Sequence, residues 1–376
     1  MKIGFVILTD LAQLKGDAIH VKCLLREFEN LGVSCDPIVC KACANPPKQK
    51  HLNLLVKMVT RFLFLQKVLA VRKRYDLLYL RDWLFACLLT FFGVRFAFEI
   101  NGLLPYEGLI RDYFTPGSRA CRAFEWVQRR VLHRAVAVVA VSAPIKEYCV
   151  DEVGLDPAKI VVAENAADTS VFRPDVARQD VPKAEGTVLA GWMGSFESQH
   201  GFADFVAIAK RLRERGCDNV QFLIIGGGSD KEQLEGQLAQ MGLADYFVFC
   251  GRVRWDQIPG FMVNADFCLS LYRRTAQNLE YRARTGVAQI KIFEYLALGK
   301  PVLAYDHGDA RAFFADRQIG WVCPLQPEAV ADRIVEIAAR PDQIRDYGQN
   351  ALALSRERYN WAATARTIVD FLQESK

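Results

Sequence analysis

Short apolar runs alternate along this chain with longer segments in which apolar residues recur every three or four positions. The short runs predict buried β-strands, and the periodic segments predict amphipathic helices. Predicted strands cover residues 3–8, 34–39, 77–80, 95–98, 136–141, 188–193, 220–225, 247–250, 267–271 and 301–304. Predicted helices include residues 18–31, 52–74, 202–214, 231–241, 328–339 and 362–372. This alternation is typical of an α/β protein with parallel, doubly wound sheets.

The alternation occurs in two series, which a polar, proline-containing stretch at residues 165–185 separates. At 376 residues the chain is also too long for one ordinary hydrophobic core. We therefore predict two Rossmann-like domains, residues 1–170 and residues 171–356, with a final helix at 357–376 that packs back on the first domain. We expect ligands to bind in an interdomain cleft, at the carboxyl ends of both sheets.

Residues 291–304, KIFEYLALGKPVLA, carry the most specific local pattern. Lys291 and Glu294 lie three positions apart and therefore share one face of the predicted helix. Gly299 is the residue expected just past the helix end, and Pro301 prevents the helix from resuming. A cation and free amides at a helix start suit a phosphate, and a carboxylate suits a pair of ribose hydroxyls. An exposed ion pair on an ordinary helix is the alternative for an isolated Lys-x-x-Glu.

Six further short segments, with residues 291–304, span nearly the whole chain. They are VSAPIK at 141–146, NAADTSVFRP at 165–174, GSFESQHG at 194–201, IIGGG at 224–228, FCGRV at 249–253 and YNW at 359–361. In sequence and order these segments resemble retaining glycosyltransferase family 4, the group 1 glycosyl transferases. The resemblance implies the GT-B fold, which has two facing Rossmann-like domains with an interdomain cleft.

The resemblance also implies an enzyme of the hexosyltransferase type. Such an enzyme moves a sugar, with retention of configuration, from a UDP- or GDP-linked donor to a glycan or lipid-linked acceptor in cell-surface polysaccharide assembly. The sequence has no Asp-x-Asp motif in a suitable loop, which favours neutralisation of the leaving diphosphate by fixed cations and amides. We therefore expect metal-independent transfer and no cofactor besides the nucleotide-diphosphate sugar itself.

The expected donor-binding residues lie on both predicted domains. They are Gly16, Ser195, His200, Arg252, Ala288, Gln289, Ile290, Lys291 and Glu294. Lys291 is the first candidate for the catalytic cation. The backbone amides of Gly16 and of residues 288–290 are candidates for phosphate contacts, and a glycine at position 16 permits close backbone approach.

The chain departs from the family pattern in its predicted phosphate loop. Ser195 and His200 stand where many relatives have an arginine and a lysine, so two fixed charges are missing. Gly286 occupies the place of a second glutamate. Arg282 and Arg284, in a predicted loop before the helix, are candidates to compensate for the missing cations. These departures leave the identity of the donor open.

Glu99 and Asn101 are the catalytic candidates of the first domain. They follow a predicted strand at about the point where many relatives place a histidine near the transferred sugar. Either side chain is expected to contact the sugar or the acceptor hydroxyl, and a carboxylate is a possible base. The family's mechanism instead passes the acceptor proton to the departing phosphate oxygen, which leaves Glu99 to position groups. Capping of the following helix is the structural alternative.

The net charge of +5 is concentrated in the first half of the chain, and residues 41–74 contain nine Lys and Arg residues and no acid. Apolar stretches separate these cations. A solvated basic face and a helix lying on an anionic membrane surface both fit this pattern. The scarcity of aromatic residues among the cations argues against nucleic-acid binding.

The composition places the protein in the cytoplasm, or peripherally on the cytoplasmic face of the membrane. No apolar run reaches the roughly 20 residues that a spanning helix needs, and residues 1–8 suit a first strand better than a signal peptide. The eleven cysteines lack framework spacing, which favours reduced thiols. Cys40 and Cys43 form a lone Cys-x-x-Cys without the second pair that structural zinc requires.

Three other functions fit parts of the sequence. A sugar-nucleotide epimerase of the same fold needs an acid/base pair, and no convincing pair is present. A dinucleotide-dependent oxidoreductase is suggested by residues 225–230, IGGGSD, but the Gly-x-Gly-x-x-Gly motif is incomplete. A nucleotide-binding, non-catalytic homologue is the third alternative, because the phosphate loop lacks its fixed cations.

Overall fold

The computed structural model describes residues 1–12, 16–40, 50–183, 185–196, 202–228 and 231–374. The chain forms two compact units, one of residues 1–164 with 361–376 and one of residues 165–360. The sequence placed the boundaries at 170 and 356. Residues 165–170 and 357–360 belong to the second unit: the amide of Ala167 donates to the carbonyl of Tyr359, and the ring of Tyr359 packs 5.1 Å from that of Phe293.

Twelve strands and fourteen α-helices are defined within the described residues. The strands are β1 Lys2–Ile7, β2 Ser34–Val39, β3 Leu77–Leu80, β4 Phe96–Ile100, β5 Ala137–Ala140, β6 Ile160–Val162, β7 Val188–Ser195, β8 Val220–Gly227, β9 Phe247–Gly251, β10 Phe267–Ser270, β11 Val302–Tyr305 and β12 Gly320–Cys323. The helices are α1 Gly16–Asn30, α2 Lys50–Val71, α3 Trp83–Leu89, α4 Leu104–Ile110, α5 Arg119–Arg134, α6 Ala143–Asp151, α7 Phe202–Glu214, α8 Lys231–Gln240, α9 Ile258–Met262, α10 Ala276–Thr285, α11 Ile290–Ala297, α12 Pro327–Ala338, α13 Pro341–Glu357 and α14 Trp361–Glu374. None of these helices is long and apolar enough to cross a membrane.

The first unit contains one parallel sheet of order β2-β1-β3-β4-β5-β6. The strand order reverses between β1 and β3, and ligands of doubly wound folds bind at the carboxyl ends of strands at such a reversal. Helix α14 returns to this unit and packs on α1. The hydroxyl of Thr364 donates to the carbonyl of Glu164 over 2.9 Å, which fixes the returning helix.

The second unit contains another parallel sheet, of order β12-β11-β10-β7-β8-β9, which reverses between β7 and β10. Its strands are buried on both faces. Successive residues of β7 point to opposite sides, so Trp192 joins one hydrophobic cluster and Met193 the other. The Met193 side includes Ile292, Phe293 and Leu296 of α11, so this helix packs its apolar residues against the sheet.

The structure corrects one part of the sequence analysis that bears on the site. Arg282 and Arg284 were predicted in a loop, but both lie on helix α10. The hydroxyl of Thr275 caps this helix by accepting from the amide of Asn278, and Gly286 ends it with a φ of 60°. The helix was missed because its short, charged sequence has little apolar periodicity.

Gly226 marks a position where β8 and β7 approach too closely for any side chain. A Cβ built there lies 1.9 Å from the carbonyl oxygen of Gly194. We therefore expect Gly226→Ala to lower the free energy of unfolding by roughly 3–5 kcal/mol, as severe overpacking does. Gly236→Ala is the matched control, because a Cβ at Gly236 on α8 meets nothing within 4 Å. Urea unfolding should show the control to be equally or more stable than the wild type, and equal stability of both variants contradicts this packing account.

Candidate functional site

Helix α11 is held in place by hydrogen bonds to neighbouring segments of the second unit. The amide of Met193, near the end of β7, donates to the hydroxyl of Tyr295 over 2.9 Å. The side-chain amide of Asn165 donates to the carbonyl of Ala288 over 2.7 Å, just before the helix begins. Both ends of these bonds are buried or partly buried. The start of α11 is therefore fixed against the carboxyl end of β7, where free helix amides suit an anion.

Lys291 lies on the first turn of α11 with its amine above an aromatic ring. The Nζ atom is 4.7 Å from the ring centroid of Trp192, a fully buried residue of β7. Burial, together with the nearby charge of Arg282, lowers the pKa of Lys291 to about 7, against the opposing effect of Glu294. The ammonium group is thus partly desolvated and held by a cation–π contact. A bound anion would stabilise its charged form.

Glu294 lies one turn further along α11 and is 6% exposed. The indole Nε1 of Trp255 donates to its Oε1 over 2.8 Å. Burial raises the pKa of Glu294 to about 7, and the charge of Asp168 adds to this, against the opposing effects of Trp255 and Lys291. A buried carboxylate with one fixed donor has acceptor capacity left for hydroxyl groups.

The other predicted donor residues of the second unit lie around these two side chains or at the neighbouring strand ends. Ser195 is exposed at the end of β7 and pairs with Gly227. Arg252 packs over Gly227, its Cβ lying 3.3 Å from where a Cβ would stand at that glycine. Gln289 precedes α11, and Ile290 is its first residue. His200 lies outside the described residues.

The triple glycine at residues 226–228 has a structural explanation that needs no dinucleotide. A Cβ at Gly226 overlaps the carbonyl of Gly194, and one at Gly228 lies 2.3 Å from the carbonyl oxygen of Phe196. These glycines let the ends of β8 and β7 lie against each other. The motif that suggested an oxidoreductase is therefore explained by strand packing.

The predicted catalytic residues of the first unit, Glu99 and Asn101, belong to a buried polar cluster. Glu99 is 1% exposed; its Oε2 accepts from the hydroxyl of Tyr79 over 2.5 Å. Its Oε1 accepts from the side-chain amide of Asn101 over 2.8 Å. The same oxygen lies 2.8 Å from Nε2 of His20 and 3.0 Å from Nε of Arg81. Burial alone would raise the pKa of Glu99, but the charges of His20 and Arg81 and the hydrogen bonds hold it well below its usual range.

The sequence left open whether Glu99 contacts the sugar or acceptor or only positions other groups. Its two oxygens accept hydrogen bonds from Tyr79 and Asn101 and lie at ion-pair distance from His20 and Arg81, and the side chain is buried. This geometry favours a positioning role. The residue that Glu99 positions most directly is Asn101, which is half-buried and reaches a pocket. His20 is buried, with its ring centroid 4.5 Å from that of Trp361.

The pocket of the first unit has a volume of about 340 Å³ and lies at the strand reversal between β1 and β3. It opens where β1, β3 and β4 end. Its polar lining comes from Thr9, Asp17, Arg61, Arg81, Asp82 and Asn101. Gly16, the predicted phosphate contact of this unit, begins α1 directly before Asp17 and is exposed. The lining has donors and acceptors of both charges, which suits a hydroxyl-rich molecule.

The described residues contain no group of three or more His, Cys, Asp or Glu side chains that could hold a metal ion. The ten described cysteines, Cys40 among them, are free thiols. Cys43, the other half of the Cys-x-x-Cys, lies outside the described residues.

Two family models match the chain in succession. Residues 24–166 match the glycosyl transferase 4-like domain, and residues 187–340 match glycosyl transferases group 1. One match falls in each unit, and together they cover most of the sequence. The chain therefore belongs to the group 1 glycosyl transferases, which confirms the resemblance seen in its motifs.

The curated relatives include several named glycosyltransferases. The chain is 26% identical over 258 residues to 2-deoxystreptamine N-acetyl-D-glucosaminyltransferase from Streptomyces fradiae, which covers 62% of the chain and 58% of the relative. It is 28% identical over 259 residues to phosphatidyl-myo-inositol mannosyltransferase from Mycobacterium leprae, covering 68% of the chain and 63% of the relative. The chain thus matches about three fifths of the length of these relatives.

Solved structures establish the fold class. A sucrose-phosphate synthase from Thermosynechococcus elongatus superposes with a TM-score of 0.76 at 17% identity, over 100% of this chain and 99% of that one. The Anabaena protein HepE in complex with UDP gives a TM-score of 0.69 at 16% identity, over 100% of both chains. With two six-stranded parallel sheets, the chain has the GT-B fold, as predicted.

Two residues next to the site were not among the sequence candidates. Trp192 supports the amine of Lys291, and Trp255 donates to Glu294. Trp192 lies two residues before the family segment at 194–201, and Trp255 lies two residues after the one at 249–253. A tryptophan in a buried strand normally predicts core packing, so only the three-dimensional contacts reveal its second role.

Proposed function

We propose that this protein is a retaining, metal-independent glycosyltransferase that uses a nucleotide-diphosphate sugar. The observation that carries the proposal is the pair Lys291 and Glu294, half-buried and buried respectively on the first turns of a fixed helix. Lys291 and the first amides of α11 would hold the diphosphate, and Glu294 would accept hydrogen bonds from the ribose hydroxyls. Family membership supports the reaction class.

In the proposed reaction the bond between the anomeric carbon and the β-phosphate oxygen breaks. The acceptor oxygen forms its bond to the same face of that carbon, and the acceptor proton passes to the departing phosphate oxygen. Negative charge grows on the diphosphate as the bond breaks, so a fixed cation that binds it more strongly then lowers the barrier. Lys291 is the residue proposed for this role.

A UDP- or GDP-linked hexose is the proposed donor, and a glycan or lipid-linked molecule the proposed acceptor, in cell-surface polysaccharide or glycolipid assembly. The complex of HepE with UDP supports a uridine nucleotide in the donor. The names of the curated relatives support hydroxyl-rich acceptors. The 340 Å³ pocket beside Asn101 is the proposed acceptor site of the first unit.

The function is tested by thermal-shift screening of the wild type against UDP, GDP, ADP, CMP and dTDP. A ligand that binds only the native state raises its stability by mass action. The stabilising nucleotide then selects the donors for transfer assays with membrane and glycan extracts. Failure of every nucleoside diphosphate to stabilise the protein would remove the proposal, and binding without any transfer would favour the non-catalytic alternative.

Nucleotide binding at pH 8 is expected to take up close to one proton. Lys291 has a pKa of about 7 in the free protein and is therefore largely neutral at pH 8. A bound diphosphate favours the ammonium form, so affinity should fall up to about tenfold per pH unit above 7. Glu294 is already ionised at this pH, since its pKa is also about 7. Calorimetry in two buffers of different ionisation enthalpy measures the uptake, and its persistence in Lys291→Met would show that another group takes up the proton.

We also propose that the protein attaches peripherally to the anionic cytoplasmic face of a membrane. Part of the predicted basic region, residues 41–49, lies outside the described residues. In the rest of the first unit, α2 packs against α3 and α3 against α5, and these elements expose large apolar side chains. They include Val59, Phe62 and Leu63 of α2, Trp126 of α5, and Phe91 and Phe92 in the turn that follows α3, all 48–59% exposed. The guanidinium of Arg130 lies 4.0 Å from the Phe91 ring and 5.4 Å from the Trp126 ring.

Apolar side chains interleaved with cations suit the interface of a bilayer with acidic lipids. Sedimentation with vesicles of phosphatidylglycerol and phosphatidylcholine tests the attachment. We expect the wild type to sediment, Phe62→Ser/Leu63→Ser to sediment less, and neither to bind pure phosphatidylcholine strongly. A wild type that stays in the supernatant with both vesicles would exclude this partner.

A further inference from the structure

Arg282 is a cation that the family pattern does not place in the donor site, and the sequence offered it only as one of two candidates, with Arg284, to replace the missing cations. It lies in the last turn of α10, and its guanidinium is half-buried between two rings, 5.4 Å from the centroid of Tyr272 and 5.5 Å from that of Tyr281. The side-chain amide of Gln289 is oriented so that its oxygen accepts hydrogen bonds from the two terminal nitrogens of Arg282. Gln289 directly precedes α11, so the guanidinium is anchored beside the start of that helix.

Within the described residues neither Arg282 nor Lys291 forms a salt bridge. The charge of Glu294 raises the pKa of Lys291 without an ion-pair contact, and Nε of Arg282 is buried without an acceptor. The arginines nearby differ. Arg274 forms a bidentate pair with Asp204 at 2.8 and 3.1 Å, and Arg284 lies 3.5 Å from Glu280.

The two cations are close enough to act on one another. The charge of Arg282 lowers the pKa of Lys291, and burial lowers the pKa of Arg282 itself. Two like charges, each partly removed from water, destabilise the free protein. A ligand with two negative charges relieves both costs, and a guanidinium can bind two phosphate oxygens at once.

We propose that Arg282 is the second diphosphate-binding cation of this protein and acts with Lys291. It supplies from α10 the charge that the phosphate loop lacks, since Ser195 and His200 stand where many relatives have an arginine and a lysine. This inference rests on the proposed function, because it presumes that the ligand of α11 is a nucleoside diphosphate.

The test compares Arg282→Gln with the wild type in binding UDP, UMP, GDP and GMP, measured by calorimetry. Loss of a charge-assisted phosphate contact is expected to weaken the diphosphate about 10- to 100-fold. The monophosphate should weaken much less, so the diphosphate-to-monophosphate affinity ratio should collapse. Arg282→Lys should restore only part of the loss, because a lysine cannot form the bidentate contact.

Arg284→Gln is the matched control, since Arg284 lies on the same helix but faces Glu280. It should bind all four nucleotides as the wild type does. Equal weakening of mono- and diphosphates in Arg282→Gln, or no weakening, would overturn the assignment to the diphosphate. Binding of UDP-glucose and UDP-glucuronate should also be measured. A loss of affinity confined to UDP-glucuronate would overturn the assignment too, because it would show that the guanidinium contacts the sugar and not the diphosphate. If the wild type binds no nucleoside diphosphate, the proposed function fails first.

Discussion

Lys291→Met is expected to lower the turnover number of sugar transfer by about 10²- to 10³-fold and to make the free protein more stable. The loss follows because the variant removes the cation that stabilises the leaving diphosphate. Removing one such charge-stabilising donor from an active site typically lowers the turnover number by about this factor. The gain follows because burial lowers the pKa of Lys291 from 10.5 to about 7, so the ammonium is destabilised in the folded state. Each pKa unit corresponds to about 1.4 kcal/mol, and partial exposure reduces the total to roughly 1–3 kcal/mol.

The stability change has a defined pH dependence. A lysine whose folded pKa is lowered binds fewer protons in the folded than in the unfolded state between pH 7 and 10.5. The free energy of unfolding of the wild type therefore rises with pH through that window, and Lys291→Met should lose this rise. Urea unfolding at pH 7 and pH 9.5 measures it. If Lys291→Met were less stable than the wild type at pH 7, burial of this ammonium would not destabilise the folded protein.

Lys300→Met is the matched control for Lys291→Met. The amine of Lys300, beyond the end of α11, donates to the carbonyl of Val263 over 2.9 Å and is not part of the proposed site. Burial lowers the pKa of Lys300 too, so stability alone does not distinguish the two lysines. We expect Lys300→Met to leave sugar transfer nearly unchanged, because this amine lies outside the proposed site. Loss of transfer in Lys291→Met alone would separate a functional cation from a structural one.

Glu294→Gln is expected to weaken nucleoside diphosphate binding by about 10- to 100-fold, because carboxylate hydrogen bonds to the ribose hydroxyls are charge-assisted. The ribose supplies a sharper criterion than affinity alone. The wild type should prefer UDP or GDP over the 2′-deoxynucleotide, and the variant should lose most of that preference. Calorimetry with both forms of the nucleotide measures the ratio.

The same substitution should stabilise the free protein in a pH-dependent way. Burial raises the pKa of Glu294 from 4.5 to about 7, so its charged form is disfavoured in the folded state. The wild type therefore loses stability as pH rises from 4.5 through 7, and Glu294→Gln should be the more stable protein at pH 8 but not at pH 4.5. Glu280→Gln, on exposed α10 surface, is the control and should change neither binding nor stability. An unchanged preference for ribose in Glu294→Gln would refute the assignment.

Most of the fold could be predicted because buried parallel strands and amphipathic helices leave strong patterns. Two strands were missed: β6 has only three residues, and β12 begins with a glycine, which strands disfavour. Helix α10 was missed for a related reason. Its sequence, AQNLEYRART, owes its structure to the Thr275 cap and the Gly286 stop more than to apolar periodicity.

The candidate site was predictable where one local segment holds the residues, as Lys291 and Glu294 show. It was not predictable where distant segments meet. Trp192 and Trp255 lie 99 and 39 positions from their partners, and no local pattern links them. For Glu99 the sequence left substrate contact and positioning both open. The structure favours positioning, because His20 and Arg81 reach it from other elements and enclose it.

A crystal structure with the stabilising nucleoside diphosphate tests the central proposition most directly. The account predicts the amine of Lys291 within hydrogen-bond distance of a phosphate oxygen, at about 2.7–3.2 Å, and a Glu294 oxygen at similar distance from a ribose hydroxyl. A nucleotide bound away from α11, or one whose phosphates and ribose contact neither side chain, would contradict it.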